Sequence, residues 1–406
     1  MFDEIVNRKN LEQAYFHVAK QLEEDLINHR YAGWDNLKLS DLEVLSNQVI
    51  GEAKTELTAF KELSPAILLK IPKKSDPRKM REIYIYSLKE RIKAQAIYQI
   101  VEPYFEKFFS PWLFSYRSSH QSYFAARSVV RHYLKYFSRD YVLVADLSDY
   151  SNYIRQDFLQ NKIKELNFEE PVFRLLSLFI GNKIIRAGEI FQPPVGLIQG
   201  VPLIALFNNL YLDAFDKFAG PRVDFYRRVG DDLIAFDQKK ERLEFLKEHL
   251  TAEADRLGLK INWQKTRLVS ASLPFSFLGY AFKNGMVALE ERFCRSVLKR
   301  WQQQFSYYQT RSERRKQGFL KKVISEHRLS LGLQFRQIAE QKKLVTDLEQ
   351  IKRLSEAFFH VLTRYFFGEY SEKNRRLLKE KLKKIHFTSF YKYFLTAKYD
   401  PRKRTN

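Results

Sequence analysis

The stretch YRRVGDDLIAF, Tyr226 to Phe236, concentrates the chemistry of this chain. Asp231 and Asp232 stand side by side between apolar residues, behind Gly230, with no lysine or arginine directly after them. A third carboxylate, Asp146, closes the apolar run YVLVADL, Tyr141 to Leu147. One turn needs one acidic cap, so an adjacent pair at a corner asks for another explanation. Carboxylates brought together repel and raise each other's proton affinity unless a divalent cation neutralises them. Oxygen donors of this kind suit Mg²⁺, which keeps several waters and is completed by substrate phosphates. Two such ions can activate a 3′-hydroxyl and stabilise a departing pyrophosphate.

The elements around these residues must bring them to one place. Residues 1 to about 60 carry helical periodicity, as in LEQAYFHVAKQLEEDL. AILLKIPKKSDPRKMREIYIYS then reads as two β-rich runs around a basic, proline-containing turn, a hairpin. LKERIKAQAIYQIVEPYFEKFF is helical, and YVLVADL is a strand ending at Asp146. Helices follow in RQDFLQNKIKEL and EEPVFRLLSLFIGN, then a glycine-marked loop leads into one long helix over PLIALFNNLYLDAFDKF. VDFYRRVGDDLIAFD reads as strand, tight turn and strand, KKERLEFLKEHLTAEADRLGL as a helix, and PFSFLGYAF as a further strand. The remainder is almost entirely helical. This order is compatible with a small antiparallel sheet backed by helices, with Asp146 and the aspartate pair at neighbouring strand ends.

Composition narrows the class. The 406 residues carry a formal net charge of +22, and Met286 to Asn406 alone hold 29 Lys and Arg against 12 Asp and Glu. Tyr and Phe are interleaved with those basic groups in QFSYYQTRSERRKQGF and IHFTSFYKYFLTAKYDPRKR. Cationic groups neutralise phosphates and aromatics stack on bases, so the segment implies a polyanion partner. Most of the aromatic residues there are expected in a helical core. The single Cys294 excludes an internal disulfide and a cysteine-built zinc site, and points to a reducing compartment. No signal peptide opens the chain and no apolar run reaches the roughly 20 residues of a membrane span. A soluble, cytoplasmic protein is the expectation.

VGDD between apolar strands resembles the YxDD motif of reverse transcriptases, and the resemblance continues in order over residues 60 to 285. IPKKSDPRKMREIYI is similar to the fingers hairpin of group II intron-type enzymes. KERIKAQAIYQIVEPYFEKFF with FSYRSSHQS is similar to the segment that follows it. VADLSDYSNYI resembles the first carboxylate motif, GLIQGVPLIALFNNLYL the GxPQG-type motif, INWQKTRLV the lysine motif, and FSFLGYAF the primer-grip strand. The resemblance implies an α+β right-hand polymerase. Residues 1–135 would form N-terminal helices and fingers, 136–285 a ferredoxin-like palm with fingers elements, and 286–406 a basic α-helical thumb and C-terminal region. It implies RNA-directed DNA polymerase activity, a nucleotidyltransferase using two Mg²⁺ ions.

Residue by residue, the resemblance assigns the metals to Asp146, Asp231, Asp232 and the backbone carbonyl of Leu147. Lys79 and Arg81, with Lys73, would clamp the incoming triphosphate, and Lys265 would sit near the pyrophosphate as a general acid. Gln199 and Gly200 would lie under the nascent base pair. Arg91 and Arg117 would support the template or the fingers, and Phe277, Leu278, Gly279 and Tyr280 the primer. Implied partners are an RNA template, a DNA product and nucleoside triphosphates, with no membrane; a homo-oligomer or a partner protein is left open.

The departures carry information too. Val229 replaces the usual aromatic and Gly230 the usual alanine or methionine, which makes GDD, also the signature of viral RNA-copying polymerases. The position that normally holds a steric gate against the ribose 2′-hydroxyl is Ser151, with Tyr150 before it. Ile198 stands for the proline before QG. No HNH-like C…C appendage, retron VTG or NAxxH signature, integrase or ribonuclease H pattern is present. The chain is therefore most similar to the defence-associated, abortive-infection group of bacterial reverse transcriptases, with anti-phage defence and a dedicated non-coding RNA template as the implied role. Two other readings stand beside this one: a ribonucleotide polymerase or template-independent transferase, and a non-catalytic nucleic-acid-binding scaffold.

Overall fold

The structure is a computed structural model describing residues 1–27, 39–73, 76–306, 331–384 and 387–399, without the side chains of 23–27, 39–45, 72–73, 76–79, 304, 306 and 331–333. It forms two compact units, Met1–Ala125 with Tyr141–Leu268, and Ala126–Asp140 with Val269–Asn406.

In the first unit, α1 (Phe2–Ile5), α2 (Arg8–Ile27) and α3 (Leu39–Thr58) precede the expected hairpin of β1 (Ala66–Lys73) and β2 (Asp76–Ile85). The Ser87 hydroxyl caps α4 (Leu88–Phe105) by accepting from the Glu90 N–H. α5 (Ser122–Tyr136) passes from the first unit into the second, and β3 (Tyr141–Asp146), α6 (Gln156–Lys164) and α7 (Glu170–Ile180) follow.

A short hairpin then appears that the sequence reading did not contain, β4 (Ile184–Arg186) and β5 (Glu189–Phe191). Its strands are too short to show an alternation, and its signal is the two-residue turn Ala187–Gly188, both at positive φ (53° and 89°). β4 runs parallel to β1, giving a four-stranded sheet in the order β2-β1-β4-β5. The single helix expected next is two, α8 (Pro202–Tyr211) and α9 (Asp213–Ala219), because Leu212 leaves helical geometry. The new direction is anchored by the buried Asp213 carboxylate, which accepts from the Ser110 N–H at 2.8 Å.

β6 (Phe225–Val229), β7 (Asp232–Asp237), α10 (Lys240–Leu257) and β8 (Arg267–Ser270) complete a second sheet in the order β6-β7-β3-β8. β3 and β7 are antiparallel from Tyr141 opposite Asp237 to Asp146 opposite Asp232. Val142 to Ala145 and Leu233 to Phe236 are all buried, as continuous apolar strands require. Beneath this sheet α9 meets β6 through a fully buried ion pair. Arg228 Nε and Nη2 donate to Asp216 at 2.6–2.9 Å, and the Tyr226 hydroxyl donates to the same carboxylate at 2.8 Å.

The second unit holds β9 (Phe275–Phe277), β10 (Tyr280–Lys283) and β11 (Met286–Leu289), an antiparallel sheet in the order β11-β10-β9. PFSFLGYAF, expected as one strand, is therefore two, split by Leu278 and Gly279 at φ 49° and 75°. α11 (Glu291–Ser306), α12 (Leu331–Lys342), α13 (Leu348–Phe367), α14 (Glu372–Lys384) and α15 (Phe390–Tyr399) follow. Trp301, Phe335, Phe358 and Phe390 meet mostly edge to face at 4.8–6.1 Å, so these aromatics are core. Most of QFSYYQTRSERRKQGF lies outside the described residues. Among the described residues no helix is long and apolar enough to cross a membrane.

The Leu278–Gly279 turn is held by a lysine from α12. Lys342 Nζ donates to the Leu278 carbonyl at 2.9 Å and lies 4.2 Å from the centre of the Tyr280 ring. The Tyr280 hydroxyl donates to the Gln341 carbonyl at 2.8 Å, fastening the same strand to the same helix end. Burial pushes the Lys342 ammonium down to about 8, against a pull upward from Glu290.

Two outcomes follow from these contacts. The folded chain holds the Lys342 proton less tightly than the unfolded chain, so the fold gains stability relative to Lys342→Met as pH rises above about 8. Thermal unfolding of both proteins at pH 7 and pH 10 should show the gap moving in favour of the wild type; a constant or narrowing gap would contradict it. Asp216→Leu alone strands a buried guanidinium and should cost about 3–5 kcal/mol in denaturant unfolding, while Asp216→Leu with Arg228→Met should recover most of that loss.

Candidate active site

Asp146 ends β3 and Asp232 begins β7 directly opposite it. Opposed residues of an antiparallel pair project from the same face, so the register alone juxtaposes two carboxylates. Asp231 sits in the turn before them, and the Leu147 N–H donates to the Asp231 carbonyl at 3.3 Å, tying the two chain segments together. A third segment closes the corner. The Asn262 N–H donates to the Asp146 carbonyl, the Ser148 N–H to the Lys260 carbonyl, both at 2.8 Å, and Leu147 bridges to Ile261. That segment delivers Lys265, whose Nζ donates to both carboxylate oxygens of Asp146, one of them at 3.0 Å.

The corner is short of positive charge. Burial pushes the Asp231 carboxyl above its ordinary value and the Asp146 charge adds to the shift, with Lys265 and Arg228 pulling the other way. Partial burial opposes the Lys265 charge, yet its hydrogen bond to Asp146 and the three aspartate charges hold its proton more tightly than usual. Among the described residues no three acidic, histidine or cysteine side chains form a ready-made metal cage, and the ammonium of Lys265 supplies the nearest countercharge. The donors at the corner are carboxylate and carbonyl oxygens, the set that a hard divalent cation takes.

Gly230 has a backbone reason for being glycine. Val229 pairs with Asp232, which leaves a two-residue loop, Gly230–Asp231, and Gly230 has φ 66°. Such loops need positive φ at their first central residue. A Cβ there would meet nothing within 4 Å, so the requirement is conformational and not one of space. Arg228 Nη1 donates to the Gly230 carbonyl at 3.0 Å, linking the turn to the buried pair below it. Arg228, Asp216 and the Ser115–Asn209 pair beside them were missed in the sequence. For Arg228, Asp216 and Asn209 the signal was charged and amide groups at positions that the strand and helix periods assign to the apolar face; Ser115, on the segment between α4 and α5, had none.

Tyr150 and Ser151 lie in a 3-10 turn, Tyr150–Tyr153, after β3. The Tyr150 ring is buried and its hydroxyl donates to the Asn208 carbonyl of α8 at 2.7 Å. Ser151 is buried too, and its Oγ accepts from Asn208 Nδ2 at 2.9 Å. Gln199 and Gly200 are exposed on the loop before α8. The Tyr86 hydroxyl pins that loop by donating to the Ile198 carbonyl at 3.0 Å. At Gly200, φ is 122° and a Cβ would fall 2.8 Å from the Tyr84 carbonyl, so only glycine lets the loop approach the end of β2.

The basic residues divide. Arg81 is exposed on β2, opposite Ile71, while the side chains of Lys73 and Lys79 lie outside the described part of that hairpin. Arg91, on α4, contacts Gln21 at 3.5 Å and lines a cavity of about 410 Å³ together with His17, Gln95, Tyr98 and Gly200. Arg117 is buried, with two nitrogens on Glu106 at 2.8–3.1 Å and Nη1 on the Ser110 and Leu113 carbonyls at 2.7 and 2.9 Å; it holds its own loop. Phe277, Leu278, Gly279 and Tyr280 belong to the second unit, at the β9–β10 turn.

No curated protein matches the chain in sequence. Among solved structures, a Candida albicans telomerase in complex with a fragment of telomeric RNA is similar at 14% identity and a TM-score of 0.44, over 84% of this chain. An apo telomerase from Candida tropicalis is similar at 15% identity and a TM-score of 0.46, over 83% of this chain. The chain spans 65% and 66% of the length of those two chains. The family profile for reverse transcriptase (RNA-dependent DNA polymerase) matches residues 71–282, which include every carboxylate of the corner. The chain belongs to the reverse transcriptase family, and its α+β fold is a right-hand polymerase fold bearing a nucleotidyltransferase domain.

Proposed function

We propose that the protein is an RNA-directed DNA polymerase that adds nucleotides to a 3′-hydroxyl, with Asp146, Asp231 and Asp232 as its catalytic carboxylates. The observation that carries this is the β3–β7 register, which faces Asp146 with Asp232 and sets Asp231 in the adjoining turn, with Lys265 as the nearest countercharge. The three carboxylates and the Leu147 carbonyl would hold two Mg²⁺ ions, which when bound supply neutralisation of triphosphate charge and activation of the hydroxyl. Lys265 would release Asp146 and hold its proton beside the leaving pyrophosphate. Lys79 and Arg81, with Lys73, would orient the triphosphate from the hairpin. Gln199 and Gly200 would support the base pair from a loop whose position the Tyr86 bond sets. Arg91 would meet the template beside the cavity on α4, Arg117 would keep the fingers loop in shape, and Phe277 to Tyr280 would carry the primer end.

In this reading residues 1–135 serve as N-terminal helices and fingers, 136–285 as palm and 286–406 as a basic thumb and C-terminal region. The charge of that last segment supports an RNA template as partner. We further place the chain, by its idiosyncratic motifs, nearest the defence-associated bacterial enzymes, acting in the cytoplasm in anti-phage defence with a dedicated non-coding RNA. A second reading, incorporation of ribonucleotides, is favoured by one observation: the Tyr150 hydroxyl is bound inward to Asn208, so this ring does not replace the aromatic gate missing at Ser151.

Asp231→Asn with Asp232→Asn should abolish incorporation on an RNA template–DNA primer, a loss of at least about a thousandfold, with circular dichroism unchanged. Chelation of divalent ions should do the same to the wild type. Retained activity would remove the carboxylate assignment. Supplying dNTPs and NTPs separately decides between the two readings, and metal-independent nucleic-acid binding with no incorporation of either would leave the protein a scaffold.

A further inference from the structure

We infer that Ser115 is a positioning residue for the Gly230–Asp231 turn, a role that rests on the polymerase reading above. Both polar backbone groups of Gly230 are held from within the first unit. Its carbonyl accepts from Arg228, and its N–H donates to Ser115 Oγ at 2.9 Å. Ser115 is itself fixed twice by Asn209 of α8: its Oγ donates to Asn209 Oδ1 at 3.0 Å, and its carbonyl accepts from Asn209 Nδ2 at 2.8 Å. Asn209 returns to the ion pair, since its carbonyl accepts from Arg228 Nη2 at 3.0 Å. Ser115 and Asn209 are both buried, so these bonds form out of reach of water.

The approach of Ser115 to the turn is also built into the sheet. β6 is an edge strand, and the segment before Ser115 covers that edge. The Arg228 N–H donates to the Trp112 carbonyl at 2.9 Å, and the Phe114 N–H donates to the Arg228 carbonyl at 2.8 Å. The segment Trp112–Phe114 thus runs parallel along β6 and ends with the Ser115 hydroxyl under the turn. Glycine at the head of the loop is the residue with the widest conformational freedom, and the two adjacent carboxylates that follow it repel. Ser115 and Arg228 remove that freedom by holding the two peptide groups that flank the Gly230 Cα, so the serine sets where Asp231 and Asp232 stand without touching a substrate.

Ser115→Ala deletes one oxygen and leaves the Gly230 N–H without this acceptor. It should lower kcat about ten- to a hundredfold with little change in nucleotide KM, raise the half-saturating Mg²⁺ concentration, and weaken Mn²⁺ binding measured by electron paramagnetic resonance without nucleotide. Ser115→Thr, which keeps the hydroxyl, should restore most of each. Asn10→Ala, which removes buried hydrogen bonds to the Ile5 and Ala96 carbonyls elsewhere in the unit, is the stability control. Unchanged kcat and Mn²⁺ affinity in Ser115→Ala, or losses no larger than those of Asn10→Ala, would overturn the role. If the wild type incorporates no nucleotide, the polymerase reading fails by itself, and the Mn²⁺ affinities alone decide whether Ser115 positions the turn.

Discussion

Repulsion among three carboxylates is the constraint around which the first unit is organised. The antiparallel register of β3 and β7 forces Asp146 to face Asp232, and the tight loop before β7 leaves Asp231 nowhere else to go. A fold that accepts this arrangement needs strands that cannot slip, because a shift of one residue would turn either aspartate to the opposite face. Fully apolar, buried strand interiors supply that resistance on both β3 and β7. The charge is met locally by Lys265, delivered by a segment hydrogen-bonded to the residues just after Asp146.

Below the corner the chain uses polar groups where an apolar core would have sufficed for stability. Arg228, Asp216, Tyr226, Asn209 and Ser115 form one connected, buried network that ends on the backbone of Gly230. A buried ion pair is weak evidence for stability, since desolvation offsets most of its attraction. The network's directional bonds do something apolar packing cannot, which is to fix the orientation of the two peptide groups on either side of Gly230. The geometry of the turn and the rigidity of its base are therefore one feature. The second unit shows a smaller version, where Lys342 and the Tyr280 hydroxyl fasten the Leu278–Gly279 turn to the end of α12.

Much of this was legible in the order of residues. Apolar runs interrupted by aspartates located β3 and β7 and their corner, and period-3.6 patterns located the helices. The strands that escaped, β4, β5, β8 and β11, have three or four residues each, too few for an alternation to stand out. The β9–β10 break rests on a two-residue turn with both residues at positive φ. The continuous helix expected after the GVP loop fails at Leu212 because of buried acidic side chains on the following turn, which bond to groups distant in sequence.

The identity of the three carboxylates, the glycine behind them and the basic, aromatic C-terminal segment are properties of the sequence by itself, because they depend on residue type and on spacing along the chain. What surrounds them was decided only by the tertiary structure. Arg117 looks like a ligand-facing arginine in sequence and is bound to Glu106; Tyr150 looks able to fill the gate and is turned to Asn208. Ser115 gave no sign at all. Each of these outcomes depends on partners up to 115 residues away, as with Ser115 and Gly230, and hydrogen-bond direction between such partners exists only once the backbone has closed around them.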